Sequence, residues 1–279
     1  MTAVHLDTLR QTIGAIEGAQ AGPAGMLATG ADRFDAALGG GLPLGAATTF
    51  EATAPLDEAA ADALALSCAA LAAGTRGGDV VIVQDRGARA LRGRVYGPGL
   101  GQLGLPASRV LLVTPRSADD TRACIEEAAR TPGLAAVVGL LGPQAGFGLV
   151  PARRVQLAAE EACGLVLLAC GLRTAPFLPA RVRLSVRPAA GSLPGWARDL
   201  PAGSGLPPPG LPAWRADIIR ARGGGRGSFI LENPHEAGSG TPARTAIRLR
   251  EPPAVADRPD RAGGQDSPGW PPVRQVTAA

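Results

Sequence analysis

Asp79-Val80-Val81-Ile82-Val83-Gln84 decides the architecture. An unbroken β-branched run, with no apolar/polar alternation, describes a strand buried on both faces. Such a strand needs helices above and below it, which is the situation of a parallel sheet in an α/β fold. The same pattern repeats outward from this point. Residues 46–50 read as a strand and 57–73 as a helix closed by Gly74 just past its end. Residues 88–105 hold short helical pieces broken by Gly97, Pro98 and Gly99, and Val110-Leu111-Leu112-Val113 is a further apolar strand. Ser117 with Asp120 caps a helix that runs to Arg130 and stops at Thr131-Pro132-Gly133. Residues 134–141 form a strand, Pro151 opens a helix ending at Gly164, and 165–170 form the next strand. On that last helix Arg153 and Arg154 are expected to face Glu160 and Glu161 as a salt-bridged surface. Strands alternating with helices predict right-handed crossovers and a mainly parallel sheet.

The flanks read differently. Residues 6–19, with Leu6, Leu9, Ile13 and Ile16, suit a short amphipathic helix, and a Gly/Pro-rich break follows over 18–25. Residues 29–38 form a turn and short helix ending at Gly39-Gly40-Gly41. After the last parallel strand, 181–187 (Arg-Val-Arg-Leu-Ser-Val-Arg) alternates as a half-exposed strand. Residues 191–212 form a Pro/Gly-rich loop. Segments 214–222 and 228–232 flank Gly223-Gly224-Gly225-Arg226-Gly227 and predict an antiparallel hairpin, with 245–250 as a final edge strand. The chain therefore divides into an N-terminal helix and linker (1–25), an α/β domain with a C-terminal β extension (26–250) and a disordered tail (251–279).

Composition narrows the chemistry. Of 279 residues 46% are hydrophobic and only 3% aromatic, so the core is built from Ala, Leu and Val. All 28 basic residues are arginine, which against 24 acidic residues gives +4. Without lysine there is no Schiff base and no P-loop ammonium for a γ-phosphate. The four cysteines, Cys68, Cys124, Cys163 and Cys170, form no CxxC pair and read as buried thiols in a reducing compartment. The two histidines, His5 and His235, have no zinc-ligand spacing. No uncharged apolar run approaches the ~20 residues of a membrane span, and Asp7 and Glu17 argue against a secretory signal, so a cytoplasmic protein without membrane contact is expected.

The turn after the first long strand is where an α/β protein of this kind would hold a phosphate. It reads Glu51-Ala52-Thr53-Ala54-Pro55-Leu56-Asp57-Glu58. A phosphate loop needs glycines so that successive backbone N–H groups wrap the anion; this turn has none, and Pro55 removes a donor. Glu51, Asp57 and Glu58 place carboxylates there, with no cation expected to offset them. No nucleotide, metal or other cofactor is expected.

Thr29-Gly30-Ala31-Asp32-Arg33-Phe34-Asp35-Ala36-Ala37-Leu38-Gly39-Gly40-Gly41-Leu42-Pro43-Leu44-Gly45 resembles the stretch that precedes the P-loop strand in RecA-like recombinases. Gly93-Arg94-Val95-Tyr96-Gly97-Pro98-Gly99-Leu100, with Leu103-Gly104-Leu105 and 109–113, is similar to ImuA proteins, as is Trp214 through Gly224 to His235-Glu236. The resemblance spans about residues 27–236. It implies a RecA-like mainly parallel sheet flanked by helices. It also implies a role as an accessory factor of a DNA-damage-inducible mutagenesis cassette. The implied partners are an ImuB-like polymerase-related protein, RecA and an error-prone DnaE-type polymerase, with DNA as a further contact. Against the RecA pattern, the position of a metal-linked aspartate is taken by Gly139, and Asp85, near the water-activating glutamate, reads as a solvated loop acid. A binding protein rather than an enzyme is expected. The alternatives are a divergent DNA-stimulated ATPase and a SulA-like cell-division inhibitor.

The candidate contact residues lie on the predicted hairpin. Arg215, Arg220, Arg222 and Arg226 surround its glycine turn, and Trp214 or Phe229 would either stack on bases or plug the sheet edge. Arg86, Arg89, Arg92 and Arg94 form a second cluster, read as a solvated helix face. The tail with Trp270 reads as an unstructured end.

Overall fold

A computed structural model of the chain describes residues 25–194, 210–234 and 248–252. Ten strands and six helices are found there, in the order β1 (Met26–Leu27), α1 (Asp32–Leu38), β2 (Leu42–Pro43), β3 (Ala46–Ala52), α2 (Glu58–Arg76), β4 (Val80–Gln84), α3 (Arg86–Arg92), α4 (Gly97–Gln102), β5 (Val110–Val113), α5 (Ala118–Arg130), β6 (Ala136–Leu141), α6 (Leu149–Ala162), β7 (Leu165–Cys170), β8 (Val182–Pro188), β9 (Ala213–Ala221) and β10 (Ser228–Glu232). The expected helix over 6–19 and the tail from residue 253 on lie outside the described residues, as does most of the expected strand at 245–250. Of that strand an antiparallel bridge between Arg250 and Glu232 is seen.

Eight strands form one sheet in the order β10-β9-β8-β3-β7-β6-β4-β5. From β8 to β5 every pairing is parallel, and β9 and β10 add an antiparallel extension at one end. This is the RecA-like α/β arrangement, with helices on both faces. Val80–Val83, Ala136–Leu141 and Leu165–Cys170 are buried throughout, as unbroken apolar runs demand. Two apolar layers result. One packs α1, α2, Ala88 and Leu100 against Phe50, Ile82, Val138, Leu167 and the inner face of β8 and β9. The other packs α5 and α6 against Val81, Val137, Val166 and Leu168.

Several boundaries differ from expectation. Helix α2 runs through Gly74 and ends at Gly77, whose φ of 73° is open to glycine. The added turn lies beyond the buried face, Ala60 to Ala73, and the Thr75 hydroxyl donates back to the Leu71 carbonyl (2.9 Å). Gly97-Pro98 starts a helix instead of breaking one, because proline in the first turn lacks only an N–H that the helix would leave unbonded. Strand β5 is an edge: Leu111 is 59% exposed. Arg154 reaches across to Glu126 of α5 (2.9 Å) in place of the expected pairing along its own helix. Cys68 and Cys170 are buried, and burial pushes both thiols up to about 12. Cys163, expected to be buried, is exposed, since it closes α6 with φ 49°.

The glycine-rich segment is explained by Asp35. Its carboxylate accepts hydrogen bonds from the N–H (2.9 Å) and hydroxyl (2.7 Å) of Thr29 and from Gly30 N–H (3.0 Å). Gly41 is required because a Cβ there would lie 2.2 Å from the Leu27 carbonyl. The last described segment returns to this turn. Leu249 N–H donates to the Thr29 carbonyl (2.8 Å), Phe34 N–H donates to Glu251 (3.2 Å), and Arg250 pairs with buried Glu232 (2.9 Å).

Candidate functional site

In open α/β sheets ligands bind beyond the carboxyl ends of the strands, where the chain order reverses. Here that place lies at β3, with β7 and β8 on its two sides. The turn from β3 into α2 is a short 3₁₀ segment, Pro55–Asp57, with the Thr53 hydroxyl donating to Asp57 (2.7 Å). Glu58 is the first residue of α2, so its carboxylate stands at the positive end of the helix. It accepts the backbone N–H of Leu172 (2.9 Å).

The expectation that no cation offsets these acids is wrong. Arg92, from the end of α3, turns inward with 8% of its side chain exposed. It donates to Asp62 (2.7 Å), Glu58 (3.1 Å) and the Leu141 carbonyl (3.2 Å). One guanidinium thus ties α2, α3 and the end of β6 together. Burial pushes the Asp62 carboxyl up to about 6, against the lowering pull of Arg92. Its second oxygen has no hydrogen-bond partner. Gly171 is needed beside this cluster, since a Cβ there would sit 2.9 Å from Glu58 and 3.1 Å from Arg92. A second pair closes the other flank: Arg183 of β8 grips Glu51 through two bonds (2.7 and 2.9 Å).

The other positions flagged by the RecA comparison are held within the fold. Asp85, expected to be a solvated loop acid, is 3% exposed. It caps α3 by accepting from Gly87 N–H (2.8 Å) and Ala88 N–H (3.2 Å). At Gly139 a Cβ would meet Ile125 and Leu168 at 2.8 Å, so a larger side chain has no room.

Among the hairpin residues, Trp214 is buried at 3%, alternating with Ala216 and Ile218 on the inner face. The structure places its indole in the core, where a base cannot reach it. Phe229 packs edge-on against Phe34, with ring centroids 5.5 Å apart. Arg215 and Arg226 are exposed and Arg220 and Arg222 half-buried. The pairings Arg183↔Arg220 and Arg187↔Arg215 bring four arginines to the outer sheet face, two of them from β8 and missed in the sequence. Like charges directly opposite repel. Asp217 relieves one pair by accepting from Arg187 (2.9 Å) and Arg215 (3.1 Å). The period-two spacing of Arg183 and Arg187 was the available signal.

Sheet order and the turn built on Thr29 and Asp35 define a RecA-like domain, with ion pairs at the turn from β3 into α2. No family model matches the chain. It is 33% identical over 252 residues to Protein ImuA of Caulobacter vibrioides, from both strain NA1000 and strain CB 15, covering 87% of this chain and 97% of that protein. The chain belongs to the ImuA family.

Proposed function

We propose that this chain is a non-catalytic RecA-like accessory protein of damage-inducible translesion mutagenesis. It bridges RecA and an ImuB-like polymerase-related partner in a complex with an error-prone DnaE-type polymerase. Membership of the ImuA family supports the place in mutagenesis. The single observation that carries the non-catalytic reading is Arg92 held between Glu58 and Asp62. In a phosphate-binding turn the start of the helix after the first strand offers free N–H groups and positive potential to the ligand. Here Glu58 and its arginine occupy that end, Pro55 withdraws a donor and the chain has no lysine.

Titration calorimetry with Mg-ATP tests the first half: no heat of binding is expected in the micromolar range, and a micromolar Kd overturns the reading. Co-purification from DNA-damaged cells tests the second half. RecA and the polymerase-related protein are expected with the intact chain, and recovery of neither overturns the bridging role.

A further inference from the structure

Three of the four arginines read as one solvated helix face do something other than Arg92. Arg86 and Arg89 on α3 converge with Arg116, which follows β5, on a pocket of about 620 Å³ at the carboxyl ends of β4 and β5. Buried Gln84 lines it and also lines a second pocket, about 310 Å³, together with Arg94 and Tyr96. The two depressions adjoin at this residue and lie along one groove. None of the four guanidiniums has an ion pair or hydrogen bond among the described residues. Of the nearby acids, Asp85 caps α3 and Asp119 pairs with Arg122, while Asp62 lines the smaller pocket beside Arg92, which bonds one of its two oxygens. Asp120 lies in the first turn of α5, outside the lining of either pocket. Tyr96 is the chain's one tyrosine and is 70% exposed.

We propose that this groove binds single-stranded nucleic acid, with Arg86, Arg89, Arg94 and Arg116 on successive phosphates and Tyr96 stacking on a base. Uncompensated guanidiniums facing one another repel, and a polyanion removes that cost. A line of such groups beside an exposed aromatic ring is the pattern of sequence-tolerant single-strand binding. An acidic protein segment would satisfy the arginines but gives no role to the ring. The inference is independent of the bridging role and of the hairpin arginines.

The test is fluorescence anisotropy of a labelled oligothymidylate titrated with the full chain. The expected Kd lies at about 10⁻⁶–10⁻⁴ M near physiological salt, weakening with salt by about 0.7 log units per log of salt for each phosphate contact. The triple variant Arg86→Gln, Arg89→Gln, Arg116→Gln should flatten that slope by about 2. Tyr96→Ala should weaken binding about fivefold or more while Tyr96→Phe retains it. All are surface positions, so unchanged circular dichroism and melting certify folding. The paired control Arg215→Gln, Arg226→Gln should bind as the parent does. Absence of binding, an unaltered triple variant or loss confined to the hairpin variant overturns the proposal. Displacement by dTMP at equal phosphate concentration overturns it in favour of a small-anion site. Loss of polyglutamate binding with oligothymidylate binding intact overturns it in favour of an acidic protein partner.

Discussion

Arg92→Met separates a structural ion pair from an incidental one. The substitution keeps most of the stem's volume but withdraws a guanidinium that is 8% exposed and bonded to Asp62, Glu58 and the Leu141 carbonyl. Breaking a buried pair by removing one partner costs about 3–5 kcal/mol, because the charge left behind is neither solvated nor matched. Here two carboxylates are stranded, with side chains 13% and 14% exposed, which places the loss toward the upper part of that range at pH 7.5. The loss must depend on pH. Asp62 has a folded pKa of about 6 against an ordinary 3.8. A raised acid stabilises the fold fully below its unfolded pKa, and that contribution disappears as pH rises through about 6. Without Arg92 the pKa climbs further, so the variant recovers stability on acidification more than the parent does. Urea unfolding at pH 7.5 and pH 5.5 measures both effects. Adding Glu58→Gln and Asp62→Asn to Arg92→Met should restore most of the loss, as a coupled cluster requires. A loss below about 1 kcal/mol, equal at both pH values, would mean that the cluster behaves as a solvated surface pair and would refute the reasoning.

Other substitutions probe separate features. Trp214→Ala should cost about 3–5 kcal/mol in urea unfolding, as a buried indole leaves a cavity, whereas an exposed contact residue would cost almost nothing. Gly139→Ala should lower stability by about 1–3 kcal/mol through overpacking against Ile125 and Leu168, visible as a drop in Tm. Cys163→Gly should raise the urea midpoint by about 1 kcal/mol equivalent at constant m, because φ 49° strains any side chain. At Asp217 burial opposes ionisation, but hydrogen bonds from Ser228, Arg187 and Arg215 outweigh it and hold the carboxyl down to about 2. Its stabilisation is present above the ordinary carboxylate pKa and is lost as pH falls through about 2. Asp217→Asn should therefore be less stable than the parent by about 1–2 kcal/mol at pH 7, with the difference narrowing below about pH 4.

What the sequence made legible was local. Val80–Val83 and Leu165–Cys170 announce buried strands because two-sided burial leaves an unbroken apolar run. Ser117 announces a helix start because its hydroxyl bonds Asp120 N–H three residues on. The Arg181–Arg187 alternation likewise gave a strand with one wet face. What was hidden was non-local. The charge of the turn from β3 into α2 could not be balanced from sequence, since Arg92 comes from 34 residues beyond Glu58 and Arg183 from 132 beyond Glu51. Nor could Asp85 be placed: a carboxylate after a strand looks the same whether it caps a helix or meets water. Glycine and proline misled at Gly74 and Gly97-Pro98 because their effect depends on position within a helix, and only packing fixes that position.

The return of residues 248–252 to the Thr29 turn has a practical side. Leu249 bonds Thr29, Glu251 reaches the start of α1, and Arg248 lies against Gly30, where a Cβ would come within 2.8 Å of it. The domain's first and last described stretches thus leave from one corner, which makes a circular permutation joining them geometrically short. It also sets where a shortened chain can begin to be cut: trimming back past Leu249 unfastens the opening turn of the fold along with its trailing end.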